Sequence, residues 1–400
     1  MKNLLKKLKI KNRILYCISQ ILKPFLKLEY KILQNKSKQS LTTKRLFSTT
    51  GNISLLKVLT LIKQTGNEDR YEDYLIIHSN GSSDFWENNL KIAKMHNFKK
   101  IYTFVHIRYS SAFILNNLYF FDEIYTINHP DHLGIINEIY NRTKINLVDE
   151  GCASLLNYNL DKIPNLSKFY TNVYLNKLDS FNFTNELKNK IAQLDNNIFE
   201  DLTQKISIKY PIIPTIDFND KYILYCGIYW EVSGLSKEKF AKEQSELINN
   251  LLNTGYKILY KPHPRDTEFY GYENNPNVIF VTTVLPVEVY QWDVLAVVSM
   301  SSTTVINLAH YSKIAGFSNV LEETLRPNHK DKVMIPLIRK IISEYSPNYK
   351  ELLKFDVKNL TKVELKAQIT SYYDKFITKK TMLSNNPNIQ NYYRSYNEAE

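Results

Sequence analysis

Glycine is scarce in this chain of 400 residues, with ten in all. No GxGxxG turn and no P-loop can be found, so Gly-rich phosphate loops are excluded as anchors for a ligand. Cysteine is rarer still. Cys17, Cys152 and Cys226 lie far apart, which excludes a disulfide framework and fits a reducing compartment. No two Cys or His stand at zinc-ligand spacing with a second pair behind them. His129 and His132 are three apart but alone, and read as two loop histidines. No apolar stretch approaches the ~20 residues of a membrane-spanning helix. The run Ile14–Ile18 is too short for a signal peptide, and lysines continue past it with no small-residue cleavage site. Also missing is any Asp-x-Asp triplet, the carboxylate pair with which a transferase often handles a diphosphate donor through a divalent ion.

What is present is ordinary in bulk and uneven in place. Hydrophobic residues make up 44% and charged residues 23%, as in a soluble globular protein, and the length allows two or three domains with proper cores. The net charge is +12. Residues 1–45 hold thirteen Lys or Arg against a single acid, Glu29, so the rest of the chain is balanced. An excess confined to one arm points to an anionic surface, above all a membrane, and away from nucleic acid, which would need a basic folded face. Within that arm Ile14, Leu15, Ile18, Ile21, Leu22, Phe25, Leu26, Ile32 and Leu33 share one side at helical spacing, and Lys23, Lys27 and Lys31 the other. This predicts a basic amphipathic helix of the interfacial kind, kinked or restarted at Pro24.

After a polar linker, Asn35–Thr43, short apolar runs alternate with helical patterns. Strands are expected at Arg45–Thr50, Tyr74–His78, Ile101–Val105, Glu123–Ile127 and Lys144–Val148. Residues Ile206–Asp220 contain Pro211 and Pro214 and read as a hinge. A second set of strands follows at Tyr222–Gly227, Lys257–Tyr260, Val278–Val281 and Leu295–Val298. A helix over Lys237–Asn253, closed by Gly255, lies between the first two of these. Beyond Asn328 the chain reads as helices packing back over the lobes. The alternation predicts parallel sheets covered on both faces. There is no repeat of solenoid length. The expected architecture is therefore α/β of the GT-B kind, two Rossmann-like domains facing a central cleft. Residues 1–43 form the basic segment and linker, 44–215 the first Rossmann-like domain, and 216–400 the second, with its C-terminal helices.

In open parallel sheets ligands bind outside the carboxyl ends of the strands, and three motifs fall at such ends. Asp149-Glu150-Gly151 offers two carboxylates, whose repulsion can tune one of them as a base, and a glycine that permits a sharp turn. Lys261-Pro262-His263-Pro264-Arg265 offers an imidazole, suited to proton donation near neutral pH. Prolines flank it and restrain the loop, and cations sit where a phosphate would lie. His129-Pro130 also follows a strand, but it has no basic neighbours and lies in the same half as Asp149. Ser301-Ser302-Thr303-Thr304 opens a helix; capping needs one hydroxyl, so the run favours phosphate. A carboxylate for the acceptor proton, an imidazole and hydroxyls for the leaving phosphate are what transfer from an activated sugar requires. A monophosphate leaving group can manage with this set.

These motifs, in this order, resemble those of the bacterial sialyltransferases, especially the capsular polysialyltransferases and the lipooligosaccharide sialyltransferases. The resemblance runs from about Leu46 to Phe317. It implies an inverting GT-B enzyme with CMP-sialic acid as donor and a glycan or glycolipid acceptor, with no strict metal requirement. It further implies Asp149 as general base and His263 as general acid or phosphate ligand, with Ser301, Ser302 and Thr303 around the CMP phosphate. Glu150, Gly151, Lys261, Pro264 and Arg265 are expected at the donor too, and Gly227 is placed there by position alone. An inner-face membrane location and a place in a capsule-assembly complex follow as expectations. The alternatives are a CDP-glycerol-type glycerophosphotransferase, a transferase using another sugar nucleotide such as CMP-Kdo, and a non-enzymatic scaffold in polysaccharide export.

Overall fold

The computed structural model describes residues 42–49, 51–66, 70–78, 83–104, 121–126, 144–149, 166–171, 185–263, 266, 270–283, 285–321, 339 and 342–384. The amphipathic helix expected at 14–33 lies outside them, as do Glu150, Gly151, Pro264 and Arg265. The chain divides into two compact units. The first is Met1–Leu178 with Phe183–Leu202; the second is Asp179–Asn182 with Thr203–Glu400.

In the first unit the described strands are β1 (Thr43–Thr49), β2 (Tyr71–His78), β3 (Lys100–Phe104), β4 (Glu123–Thr126), β5 (Lys144–Val148), β6 (Leu166–Thr171) and β7 (Ile191–Gln193). They form one sheet in the order β3-β2-β1-β4-β5-β6-β7, and all its pairings are parallel. Leu46, Phe47, Leu75, Ile76, Ile77, Ile124, Ile145 and Leu147 are buried, in near-continuous apolar runs rather than alternation. That is the signature of a sheet covered on both faces. Each such side chain contributes on the order of 1.5–3 kcal/mol by leaving water. Helix α1 (Asn52–Thr65) follows β1 directly and is buried from Ser54 to Ile62. Helix α2 (Ser83–Ala93) follows β2.

Near the amino end of β1 a polar cluster interrupts this core. Buried Arg45 grips Asp73 with two bonds of 2.7 and 2.8 Å, donates to Thr65 at 2.8 Å, and lies 3.8 Å over the Tyr71 ring. His96 Nε2 meets the same carboxylate at 2.9 Å. Burial works to raise the Asp73 pKa, but the bonds from His96 and Arg45 outweigh it and hold the carboxyl below the usual range.

The second unit carries β8 (Tyr222–Cys226), β9 (Lys257–Lys261), β10 (Val278–Phe280), β11 (Ala296–Ser299) and β12 (Gly316–Ser318), in the order β10-β9-β8-β11-β12. These pairings are parallel as well. The chain also forms short helices α3 (Asn185–Lys190) and α4 (Asn196–Lys209), then α5 (Trp230–Ser233), α6 (Lys237–Thr254), α7 (Thr304–Tyr311) and α8 (Lys362–Ser384). Ser236 caps α6 by accepting from the Lys239 N–H at 3.2 Å. Gly255 ends the helix at φ 111°, a conformation side chains resist. Phe240, Leu247, Ile248 and Leu251 turn inward onto the sheet. Helix α8 packs on the core of its own unit through Leu365 and Ile369.

Two differences from expectation stand out. The stretch Ile206–Asp220, read as a hinge, begins as helix: α4 runs to Lys209, and irregular backbone starts at Tyr210, immediately before Pro211. Strands β6, β7 and β12 were not anticipated. Among the described residues, no helix is long and apolar enough to cross a membrane.

Candidate active site

In the first unit the carboxyl ends of the strands gather buried polar groups. Asp149 stands immediately after β5, where its N–H donates to the Tyr170 carbonyl at 3.0 Å. Its side chain is 1% exposed. Lys57 reaches it from α1: the Nζ donates to Oδ1, and the lysine is equally buried, with 2% of its side chain exposed. Oδ2 has no hydrogen-bond partner among the described residues. Nearby in the fold, β1 and β2 end on a bonded pair, Ser48 Oγ and His78 Nε2 at 2.8 Å, both buried. Thr126 and Thr171 close β4 and β6.

The sequence places Lys57 between Leu56 and Val58, inside the buried stretch of α1. An ammonium there cannot reach water, and a carboxylate is the partner that makes its burial tolerable. Sequence reasoning missed this lysine. The only signal was a cation falling within an otherwise apolar helical run.

In the second unit the candidate residues come from adjacent strands. Gly227, just past β8, donates its N–H to the Lys261 carbonyl at 2.9 Å. A Cβ at Gly227 would stand 3.3 Å from the His263 backbone nitrogen and 3.3 Å from the Tyr260 hydroxyl. The glycine therefore lets the backbone of the 261–263 loop lie directly against the end of β8. His263 is half-buried, and its ring faces Tyr229 almost parallel, at 22° with centroids 6.0 Å apart. Beyond it the loop is tied down by Asp266, whose N–H donates to the His263 carbonyl at 2.8 Å and whose carboxylate accepts from Tyr270 at 2.8 Å. Tyr270 holds a left-handed backbone at φ 54°, a conformation that costs a non-glycine residue about 1–3 kcal/mol.

Lys261 is also half-buried, and its ammonium donates to the Pro262 carbonyl at 3.0 Å. Burial lowers its pKa from the ordinary lysine value, against the opposing pull of Cys226 and Glu288. Cys226 ends β8; burial pushes its thiol well up, so it stays protonated and unreactive at neutral pH.

The hydroxyl loop follows β11. Ser299, fully buried, donates to the Cys226 carbonyl at 2.6 Å and accepts from the Ser302 N–H at 3.3 Å. One side chain thus ties the hydroxyl loop to the end of β8. Ser302 Oγ accepts from the Thr304 N–H at 3.2 Å and serves as the cap of α7, while the nominal cap residue, Thr303, makes no capping bond. Capping thus leaves the Ser301 and Thr303 hydroxyls available for a ligand. Glu288 lies at the same helix start, accepting from Thr304 Oγ1 at 3.1 Å and Asn307 Nδ2 at 3.3 Å. Tyr229, Glu288 and Ser299 were all missed in sequence. Tyr229 lies two residues past Gly227 and could have been found by extending that motif; Glu288 stands in an apolar stretch that carries no signal. Within the second unit, then, Gly227, Lys261, His263 and the Ser301–Thr303 loop share one edge of the sheet.

A family model for alpha-2,8-polysialyltransferases matches residues 45–321. The chain belongs to the alpha-2,8-polysialyltransferase family. It is accordingly a glycosyltransferase of the sialyltransferase type. No curated protein matches the chain in sequence. Among solved structures it is similar to a Listeria monocytogenes protein assigned as a UDP-N-acetylglucosamine 2-epimerase, with TM-score 0.52 and 10% identity over 83% of this chain and 91% of that one. It is also similar to the UDP-GlcNAc 2-epimerase of Methanocaldococcus jannaschii, with TM-score 0.50 and 13% identity over 81% and 92%. At these identities the likeness speaks to the fold alone, which is GT-B. Asp149, Gly227, Lys261, His263 and the Ser301–Thr303 loop all lie inside the span that the polysialyltransferase model matches.

Proposed function

We propose that the protein moves sialic acid from CMP-sialic acid to a hydroxyl of a bacterial capsule or lipooligosaccharide glycan, with inversion. Asp149 takes the proton of the acceptor hydroxyl as the new glycosidic bond forms. The bond from the sugar to the CMP phosphate breaks, and its electron pair leaves with CMP. His263 donates to that phosphate or holds it by a charge-assisted hydrogen bond. Lys261 and the hydroxyls of Ser301, Ser302 and Thr303 stabilise the phosphate at the start of α7, where the positive end of the helix dipole adds to the attraction. Glu150, Gly151, Pro264 and Arg265 belong to the same motifs and are assigned to donor binding with them.

The observation that carries this reading is the convergence in the second unit. Gly227 brings the His263 loop against the end of β8, and Ser299 ties the hydroxyl loop to the same strand end. A half-buried imidazole and a half-buried lysine, on the same sheet edge as hydroxyls that capping does not require, fit a monophosphate. In this scheme these groups meet the leaving-group charge without a strict need for a divalent ion. The basic segment of residues 1–43 would hold the enzyme on the anionic inner face of the cytoplasmic membrane, close to its acceptor and to a capsule-assembly complex.

A donor screen tests the reading. The full chain is incubated with CMP-N-acetylneuraminic acid, CMP-Kdo or CDP-glycerol and a tagged sialyl oligomer, and the products are weighed by mass spectrometry. The expected outcome is added sialic acid mass with release of CMP from the first donor alone. Added glycerol phosphate mass instead would replace sialyl transfer with phosphotransfer.

A further inference from the structure

We infer that Lys57 is a positioning residue for the acceptor-activating carboxylate. The inference rests on the reading of Asp149 as general base. Three observations carry it. Lys57 and Asp149 are both out of water, on elements 92 residues apart in sequence that are brought together in the first unit. The ammonium occupies Oδ1 and leaves Oδ2 with no partner among the described residues. Lys57 also has no surface role open to it, because α1 is buried without a break from Ser54 to Ile62.

A carboxylate shielded from water cannot hold its charge without a countercharge, and it cannot aim a lone pair while both oxygens are free to turn. Lys57 meets both needs. It neutralises the anion and fixes the plane of the carboxyl through Oδ1, so Oδ2 is the oxygen presented to an acceptor hydroxyl. When that hydroxyl attacks the anomeric carbon, its proton passes to Oδ2 and the Lys57 bond to Oδ1 persists. The lysine touches neither sugar nor phosphate; it acts through Asp149.

The test compares Lys57→Met, which keeps the length of the side chain without its charge, with Lys57→Arg, Asp149→Asn and the double variant Lys57→Met/Asp149→Asn. Each is assayed as the full chain with CMP-N-acetylneuraminic acid and a tagged sialyl oligomer, per folded molecule as judged by thermal unfolding. The expected result is a fall in kcat for Lys57→Met of about 100-fold or more with the donor KM unchanged, and a partial return with Lys57→Arg. The double variant should be no slower than Asp149→Asn, because residues that act as a unit lose activity once, not twice. Lys57→Gln takes the place of Lys57→Met if the latter does not fold.

Wild-type turnover in the neutral Lys57 variant beside a dead Asp149→Asn would overturn the positioning role and leave the base reading standing. Losses that multiply in the double variant would overturn it too, since Lys57 would then act apart from Asp149. Wild-type turnover in Asp149→Asn would instead remove the base reading, and the role of Lys57 with it.

Discussion

The two units solve the same problem in opposite ways. Each is a parallel sheet whose first described strand lies inside the sheet, third in order, and whose polar residues collect at the carboxyl edge. In the first unit that edge is dry. Lys57 and Asp149 neutralise each other, and Ser48 and His78 are bonded together out of solvent. In the second unit the edge is half open. Among the described residues Lys261 donates only to a neutral carbonyl, His263 lies partly in solvent, and capping does not require the Ser301 and Thr303 hydroxyls. A cation already matched to a carboxylate is poorly suited to an anionic ligand, whereas a cation without one is ready for it. The contrast supports the proposed division of labour, in which the second unit meets the phosphate and the first removes the proton of a neutral hydroxyl.

The sharpest way to break the contrast is to delete one group from each edge and measure stability. Asp149→Ala strands a buried ammonium and is expected to lower unfolding free energy by about 3–5 kcal/mol. His263→Ala removes a half-buried ring and should fall within about 1 kcal/mol of wild type. Denaturant melts read both, and equal losses would show that the two edges do not differ as described.

Lys261→Met probes the open edge itself. Losing a charge-assisted bond to phosphate is expected to cost about 1.5–3 kcal/mol of CMP affinity, or roughly 10–100-fold in Kd by calorimetry, with no change in melting. Unaltered CMP binding would take Lys261 out of the phosphate site.

The smallest expected effect lies at the other end of the first sheet. The Asp73 carboxyl is held below its ordinary range by His96 and Arg45. A group depressed in the folded state stabilises above its unfolded pKa, and that stability is lost as pH falls through the folded value. The stability gap between wild type and Asp73→Asn should therefore narrow as pH drops from about 5 toward about 2. A gap that holds constant through that range would mean Asp73 carries no such pH-linked stability.

The same contrast explains what the sequence could reveal. Strands β1 to β5 and β8 to β11 were legible because runs such as Tyr222–Cys226 and Ala296–Ser299 are buried along their whole length. Strand β6 was not, because Leu166–Thr171 mixes buried and exposed positions and includes a lysine. Strands β7 and β12 are three residues each and, unlike the equally short but wholly apolar β10, each carries a single large apolar residue, Ile191 or Phe317. The last turns of α4 were hidden by Pro211 and Pro214, which draw the eye to a break that starts later. Motif residues at the open edge were readable because prolines and hydroxyls in a loop stand out from a strand. Lys57 was not, because a helical lysine ordinarily faces water, and only the packing of α1 shows that this one does not. Glu288 and Ser299 depend on bonds across the fold that no spacing encodes.

The account rests on Asp149 and His263 as the proton acceptor and the phosphate partner of sialyl transfer. The most direct measurement is CMP release and sialic acid incorporation by Asp149→Ala and His263→Ala, scaled to folded protein. A general acid or base contributes about 10²–10⁴-fold, so both variants are expected to lose at least 100-fold in kcat. Turnover near the wild-type rate in both would contradict the account.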